Sequence, residues 1–197
     1  MSGPRPPRVG AIVLAAGEAR RMGRTKALLP LEGRTFVEVL IGRLTDAGVA
    51  PIVLVLGSAV DEVRQAVRLS LARVIQNPDP ARGQLSSIHC GLDALAFDDL
   101  DGVFVAPVDT PRVRVETLRR MLDAFPGRHL VVPTYRGRRG HPALFASSLF
   151  PVLRQAPPEI GARAVVHDRS DRLELDTDDP AVVEDFDRPE ELDPVLA

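Results

Sequence analysis

Short apolar runs alternate with amphipathic stretches along the first two thirds of this chain. The runs are nearly continuous and each ends at a turn-forming residue, which is typical of strands buried on both faces of a sheet. They cover 9–17, 51–57, 72–77, 101–109 and 129–133. The stretches with helical spacing are 35–48, 58–67, 85–95 and 114–125. This order predicts an α/β fold, a doubly wound and mostly parallel sheet with helices on both faces.

The rhythm changes after residue 134, where a glycine- and arginine-rich loop leads into a short strand. Two further helices are expected over 146–155 and 160–168, and two strands over 172–176 and 182–187. The chain has no internal repeat, low-complexity tract or evident linker. We therefore expect a flexible arm over 1–8 and one domain over 9–197, whose last third adds its strands and helices to the same sheet.

Composition argues against several classes of function. The net charge of -2 lacks the strongly basic character of nucleic-acid-binding domains. The longest apolar stretch, 9–16, is far shorter than the roughly 20 residues that span a bilayer. The N-terminus has no apolar signal-peptide core, and the single cysteine, Cys90, excludes an intrachain disulfide. We expect a cytoplasmic protein that binds neither nucleic acid nor membrane.

A basic loop follows the first predicted strand. Ala15, Ala16 and Gly17 would let the backbone approach a ligand closely, and Arg21 and Lys26 supply cations for an anion. Lys26 is the only lysine among 25 basic residues. The spacing is not that of a Walker A loop, in which lysine directly follows the last glycine and precedes serine or threonine. The loop is either a phosphate-binding site or a surface loop that is basic by chance.

Two aspartates end apolar stretches of the predicted sheet. Asp109 closes the run 101–109 and Asp187 closes 182–187. Because ligands bind outside the carboxyl ends of strands in open α/β sheets, both carboxylates are candidate Mg²⁺ ligands. A turn or helix-cap role is the alternative for each. Asp185 alternates with Asp187 along the expected strand, so we expect its side chain to point the other way.

A third segment is expected at the same edge of the sheet. Gly83 precedes a predicted helix that carries Ser86 and Ser87, and these hydroxyls either cap the helix or face a ligand. His141 follows a glycine- and arginine-rich loop. None of the four histidines has metal-ligand spacing to another histidine or cysteine, so we expect no zinc site. Cys90 fits a core thiol in the helical stripe.

Together these pieces resemble the MobA-like nucleotidyltransferases, and among them the molybdenum cofactor cytidylyltransferases. The family fingerprint L-A-A-G-x-S-x-R-M-G-x-x-K is matched at 14–17, 21–23 and Lys26. The segments "GQLSSI", "PVDTP", "GRRGHPALF", "GAR" and "DFDRPEEL" follow in family order. The chain departs from the family at Ala19, where serine is usual, and at Arg188, where threonine is usual. Both departures loosen the assignment of the acceptor.

The resemblance implies a Rossmann-like nucleotidyltransferase fold and Mg²⁺-dependent chemistry. Family members move a nucleoside monophosphate from a nucleoside triphosphate (NTP) onto the phosphate of an acceptor and release pyrophosphate. In the cytidylyl type the donor is CTP and the acceptor is molybdopterin carrying molybdenum, with transient contact to a molybdoenzyme or its chaperone. By the same resemblance, 9–133 is the nucleotide-binding part and 134–197 is the acceptor-side part.

The resemblance also assigns roles to residues by their position in the motifs. The catalytic group comprises Lys26, Arg21 and Asp109. The nucleotide-binding group comprises Leu14, Ala15, Ala16, Gly17, Arg21, Lys26, Gly83, Ser86 and Asp109. The acceptor-binding group comprises Gly140, His141, Pro142 and Arg163. The metal ligands are Asp109 and Asp187.

Three other functions remain open from the sequence. The first two are a guanylyltransferase on the same cofactor and a nucleotidyltransferase acting on a sugar or polyol phosphate. Guanylyl forms tend to read L-A-G-G where this chain has 14–17 as L-A-A-G, and His141 followed by Pro142 also favours the cytidylyl type. The third is a non-catalytic nucleotide-binding module on the same fold, since fold alone does not fix function.

Overall fold

The computed structural model describes residues 5–17, 25–157, 165 and 170–186. The strands are β1 (Val9–Ala15), β2 (Pro30–Leu31), β3 (Arg34–Thr35), β4 (Ile52–Leu56), β5 (Arg73–Gln76), β6 (Gly102–Pro107), β7 (Leu130–Tyr135), β8 (Arg138–Arg139), β9 (Ala143–Ala146) and β10 (Leu173–Asp176). The α-helices are α1 (Phe36–Asp46), α2 (Val60–Ala66), α3 (Gln84–Ala94), α4 (Val115–Ala124) and α5 (Phe150–Gln155). Short 3₁₀ turns cover Lys26–Leu28, Pro80–Arg82, Ser147–Leu149 and Pro180–Val182. No helix within these ranges is long and apolar enough to cross a membrane.

One sheet organises the molecule, with strands in the order β10-β7-β9-β6-β1-β4-β5 and β8 paired to β7. β1 pairs in parallel with β4 and with β6, as do β4 with β5 and β7 with β10. β9 is antiparallel to both β6 and β7. The predicted doubly wound, mostly parallel sheet is therefore confirmed. The short strand expected after residue 134 is β9. It lies inside the sheet between β6 and β7 and pairs with both of them.

The central strands are buried on both faces, which is why their sequences are continuously apolar. In β1, Ala11 and Val13 pack on one side with residues of α1, α2 and α4. Ile12 and Leu14 pack on the other side with residues of α3 and α5. Because side chains alternate across a strand, each face of β1 contributes to a separate hydrophobic core. The expectation of helices on both faces is confirmed.

The ends of α1 form as the sequence indicates. The Thr35 backbone N–H donates to Glu38 Oε2 at 2.9 Å, and the Glu38 N–H donates to Thr35 Oγ1 at 3.4 Å. This reciprocal capping box satisfies two donors that would otherwise lack partners at the helix start. Gly48 follows the helix with φ of 89°, a conformation that favours glycine.

The prediction of a strand over 182–187 is wrong for residues 182–186, which are the part that the structure describes. The chain makes a 3₁₀ turn at Pro180–Val182 and has no regular structure from 183 to 186. Proline begins the turn, and Asp179 caps it by accepting from the Ala181 N–H at 3.1 Å. We call residues 180–186 the strap. The strand expected over 172–176 is confirmed as β10, and the helix expected over 160–168 lies almost wholly outside the described residues.

The strap is fixed to the helical layer by a buried carboxylate. Asp179 is 1% exposed. Its Oδ2 accepts from the Arg114 backbone N–H and from Thr117 Oγ1, both at 2.8 Å. These bonds satisfy donors at the first turn of α4, where a negative charge is also favoured by the helix dipole. Asp179 therefore joins the start of α4 to the start of the strap.

Candidate active site

Two cavities open beyond the carboxyl ends of the central parallel strands. The smaller one, the loop pocket, has a volume of about 300 Å³. Its lining consists of 14–17, Lys26, Pro80, Gly83, Gln84, Ser87 and 107–109. The larger one, the hairpin pocket, has a volume of about 650 Å³ and lies beside the β7–β8 hairpin. Gln84 lines both cavities, so they are neighbours.

The wall of the loop pocket is formed by the end of β1. Leu14, Ala15 and Ala16 are buried, whereas Gly17 is exposed. A Cβ on Gly57, which follows β4, would lie 2.8 Å from the Ala16 carbonyl oxygen. Glycine at 57 therefore lets the neighbouring strand ends stay close, and the small side chains leave room for a ligand against the backbone. These contacts agree with the predicted close approach of the loop to a ligand.

Lys26 and Asp109 meet inside the loop pocket. Lys26 Nζ lies 3.3 Å from Asp109 Oδ2, and the two side chains are 21% and 28% exposed. Asp109 stands two residues beyond β6, and its backbone carbonyl accepts from the Phe186 N–H of the strap at 3.2 Å. The pair places a cation and a hard oxygen donor at the same opening, where an anion and a divalent metal would meet.

Ser87, and not the predicted nucleotide-binding residue Ser86, lines the loop pocket. The Ser86 hydroxyl donates to the Gly83 carbonyl at 2.7 Å, and Ser86 does not line the loop pocket. Ser87 does line it, together with Gly83 and Gln84. α3 begins at Gln84 after Gly83 adopts φ of 101°, so the helix starts one residue earlier than predicted. Successive residues of an α-helix point about 100° apart, so the two adjacent serines face different directions.

The hairpin pocket has an apolar floor and a polar rim. Val105, Val132 and Phe145 come from three adjacent strands and form part of the floor. Arg138 and Arg139 lie on the rim, and Arg139 Nε donates to Glu174 Oε1 at 2.8 Å. Such a cavity suits a ligand with a flat apolar body and a charged group at its edge.

Of the predicted acceptor-binding residues, Gly140 and His141 line the hairpin pocket, whereas Pro142 is buried and lies outside its lining. The His141 backbone N–H donates to the Val182 carbonyl at 2.7 Å. A Cβ on Gly140 would lie 2.0 Å from the same carbonyl oxygen. Only glycine therefore lets the strap lie against the loop that follows β8.

Asp185 lines the hairpin pocket. The expectation that its side chain points the opposite way from that of Asp187 stays a prediction, since Asp187 lies outside the described residues. That expectation depended on a strand, and the strap is irregular at this residue. Burial lowers the pKa of His141, while the nearby charges of Asp109 and Asp185 oppose the change. His141 thus lies close to a carboxylate from each pocket and is predominantly neutral at pH 7.

Arg21, Arg163 and Asp187 lie outside the described residues. Among the residues that are described, no group of three histidines, cysteines, aspartates or glutamates forms a metal cluster. The donors near the loop pocket are carboxylate oxygens, which suit Mg²⁺ or Mn²⁺ and do not suit zinc. A metal held by Asp109 and completed by nucleotide phosphates and water fits this donor set, because Mg²⁺ is commonly bound by one or two carboxylates in phosphate sites.

Comparison with known proteins identifies related sequences over nearly the whole chain. The model of the MobA-like NTP transferase domain matches residues 11–174. The nicotine blue oxidoreductase of Paenarthrobacter nicotinovorans is 34% identical over 197 residues, which cover 94% of this chain and 95% of that protein. The molybdenum cofactor cytidylyltransferase of Escherichia coli K12 is 24% identical over 185 residues, 93% of each chain.

Solved structures agree with these sequence matches. Rv0371c from Mycobacterium tuberculosis H37Rv superposes with a TM-score of 0.87 at 29% identity, covering 98% of both chains. A structure of Rv0371c in complex with manganese gives a TM-score of 0.82 at 27% identity, covering 96% of this chain and 98% of that one. A protein similar in sequence and fold therefore binds a divalent metal.

Proposed function

Because the chain belongs to the MobA-like NTP transferase family, whose activity is nucleotidyl transfer, we propose that it moves CMP from CTP onto the phosphate of molybdopterin or the molybdenum cofactor, releasing pyrophosphate. The observation that carries this proposal is the Lys26–Asp109 pair at 3.3 Å within a pocket that adjoins a second, larger cavity. Group transfer between two substrates needs two adjoining sites of this kind.

In this proposal the nucleotide occupies the loop pocket and the acceptor occupies the hairpin pocket. Leu14, Ala15, Ala16 and Gly17 contact the nucleotide. Gln84 stands where the two substrates meet, since it lines both cavities. The apolar floor of the hairpin pocket receives the body of the acceptor, and Gly140, His141 and Arg163 bind it. Holding both reactants in line supplies much of the rate enhancement in phosphoryl-type transfers.

The protein's own side chains act mainly by neutralising the negative charge of the substrates. In the free protein Asp109 neutralises Lys26, and on substrate binding Lys26 turns to the triphosphate together with Arg21. The attacking group is an acceptor phosphate that is already ionised, so no general base is required. His141 adds little positive charge beside the acceptor, because burial lowers its pKa, and an already ionised phosphate has no proton for it to accept. Electrostatic positioning is then the chief contribution of the protein.

Asp109 and Asp187 would hold the divalent metal. When bound, Mg²⁺ polarises the α-phosphate and stabilises the departing pyrophosphate. Support for the second ligand comes from the strap, whose last described residue, Phe186, precedes Asp187 and is hydrogen-bonded to the backbone of Asp109. The manganese complex of Rv0371c supports metal use among similar proteins.

We favour CTP as the donor for two reasons. The Ala16 methyl narrows the loop pocket, which has a volume of only about 300 Å³. A pyrimidine is smaller than a purine, so it fits this space better. The similarity to the cytidylyltransferase of Escherichia coli points the same way.

A second candidate function comes from the comparison with the nicotine blue oxidoreductase. Its identity of 34% over nearly the whole chain exceeds that of the cytidylyltransferase, 24%. An oxidoreductase activity would use the same two pockets for a reductant and an oxidised acceptor. It would not require Lys26 and Asp109 to act together on a triphosphate.

The deciding experiment is a pyrophosphate-release assay with the purified protein and each of the four NTPs. Molybdopterin, the molybdenum cofactor and simple sugar phosphates serve as acceptors. We expect release only with CTP and the pterin acceptors. Release with GTP would identify a guanylyltransferase, and release with a sugar phosphate would change the acceptor class. No release, together with reduction of nicotine blue by an added electron donor, would support the redox alternative.

A further inference from the structure

A buried amide lies behind the loop pocket and contacts two serine hydroxyls at once. Asn77 follows β5 and is 2% exposed. Its Nδ2 donates to Ser86 Oγ at 2.8 Å and to Ser87 Oγ at 2.9 Å. Its Oδ1 accepts from the Asp79 backbone N–H at 3.0 Å. Since a backbone N–H can only donate, the Asp79 contact fixes the orientation of the amide, and both of its hydrogens must face the serines.

The two serines differ in whether the proton of the hydroxyl has a hydrogen-bond acceptor. Ser86 accepts from Asn77 and donates to the Gly83 carbonyl, so its proton already has a partner. Ser87 also accepts from Asn77, and its proton has no acceptor among the described residues. Ser87 is 4% exposed and lines the loop pocket. A buried hydroxyl with an unpartnered proton favours any ligand that brings an acceptor to it.

We propose that Asn77 is a positioning residue for the part of the loop pocket that receives the nucleotide base. By donating to Ser87, it orients the Ser87 hydroxyl so that this hydroxyl donates a hydrogen bond into the loop pocket. The inference rests on the proposed function, since it assumes that a nucleotide base reaches Ser87. Cytosine presents two adjacent acceptors, O2 and N3. The corresponding edge of guanine presents the N1–H and 2-amino donors beside O6. Donor facing donor is unfavourable, so the subsite selects cytosine by repulsion as well as attraction.

The closing experiment measures binding of CTP and of GTP by calorimetry, with Mn²⁺ and without acceptor. Ser87→Ala and Ser86→Ala form a matched pair, because each removes one acceptor of the same amide and only Ser87 lines the pocket. We expect Ser87→Ala to lower CTP affinity about 3- to 10-fold, the usual effect of one neutral hydrogen bond, and to raise GTP affinity, because the donor that faces the guanine donors is gone. Ser86→Ala should leave the ratio of the two affinities as in the wild type.

Asn77→Asp tests the amide itself. A carboxylate of the same shape accepts the protons of both serines, so Ser87 then presents a lone pair to the base. CTP affinity should fall at least as far as in Ser87→Ala, and the preference over GTP should vanish. Thermal melting checks that each variant folds, and Ser87→Ala decides the matter if Asn77→Asp does not fold.

The outcomes separate this inference from the proposed function. An equal change of the CTP:GTP ratio in Ser86→Ala and Ser87→Ala, or no change in either, overturns the role of Asn77 while CTP binding by the wild type leaves the proposed function standing. If the wild-type protein binds neither nucleotide, the proposed function falls and the inference falls with it.

Discussion

Lys26 Nζ and Asp109 Oδ2 lie 3.3 Å apart across the loop pocket, joining the 3₁₀ turn after the basic loop to the end of β6. Both side chains remain about a quarter exposed, so the pair is in contact with water and is not a buried structural bridge. A part-buried pair that keeps contact with water, as this one does, contributes only modestly to stability. Both charged groups therefore remain accessible to ligands that enter the loop pocket.

Lys26→Arg tests whether this position needs a compact cation. Arginine keeps the charge but spreads it over a planar head, which would compete with the metal and the acceptor for space beside the α-phosphate. We expect an unchanged melting temperature and a loss of about 10²-fold in kcat, a typical effect of misplacement. Arg68→Lys, at an exposed residue, is the control and should be neutral. Turnover by Lys26→Arg within about twofold of wild type would show that bulk charge suffices.

Asp109→Asn should abolish metal-dependent turnover, because the amide keeps the shape but removes the anionic ligand. Pyrophosphate release is measured over a range of Mg²⁺ and Mn²⁺ concentrations, with Asp185→Asn and Asp187→Asn in parallel. Asp187→Asn should also slow the reaction, whereas Asp185→Asn should act mainly on the acceptor KM. Full activity of Asp187→Asn with loss in Asp185→Asn would assign the second ligand to Asp185.

Gly140→Ala should displace the strap. The new methyl would lie 2.0 Å from the Val182 carbonyl oxygen and 2.5 Å from its carbon, and backbone atoms cannot move aside cheaply. Overpacking of this kind costs about 1–3 kcal/mol. We expect a lower melting temperature and a raised acceptor KM with little change in CTP affinity. Gly42→Ala, in α1, is the control and should be neutral or stabilising. A wild-type acceptor KM in Gly140→Ala would separate the strap from acceptor binding.

Asp179→Ala should loosen the same strap from its other end. It removes the acceptor of the Arg114 N–H, of Thr117 Oγ1 and of the Ala181 N–H. Leaving buried donors unpaired should lower the free energy of unfolding by about 2 kcal/mol or more, measured by urea denaturation. Asp178→Ala is the matched control, since its carboxylate is 89% exposed and should contribute almost nothing. Similar losses in both variants would contradict the capping role.

We expect His141 to contribute to the loss of stability of the protein at acidic pH. Burial lowers its pKa from the ordinary value of 6.5, so the unfolded chain takes up the proton at a higher pH than the folded protein. Stability from this group is therefore complete above about pH 6.5 and falls as the pH drops below that value. His141→Gln should reduce the difference in melting temperature between pH 7.5 and pH 5.5. An unchanged difference would show that other groups cause the loss.

The order of strands and helices could be predicted because it depends on the spacing of apolar residues within short stretches of the sequence. Continuous apolar runs predicted β1, β4 and β6, and helical spacing over 35–48 predicted α1. The general rule that ligands lie beyond the carboxyl ends of strands was enough to bring Lys26 and Asp109 together in expectation, 83 residues apart in the chain. The central sheet and its two helical layers thus follow from residue pattern and general topology, which also placed Lys26 and Asp109 at the same edge of the sheet.

The remaining features depend on contacts between distant segments, which no local pattern contains. Apolar alternation cannot say that β9 inserts antiparallel between β6 and β7, because pairing partners are chosen by packing across the whole sheet. A strand was expected over 182–187 because Val182, Val183 and Phe186 are apolar. The capping bonds of Asp179 and the contact of the Val182 carbonyl with Gly140 instead hold this segment in an irregular conformation. Which serine faces the loop pocket depends on the rotation of α3 about its own axis, and that rotation is set only when the helix packs on the sheet.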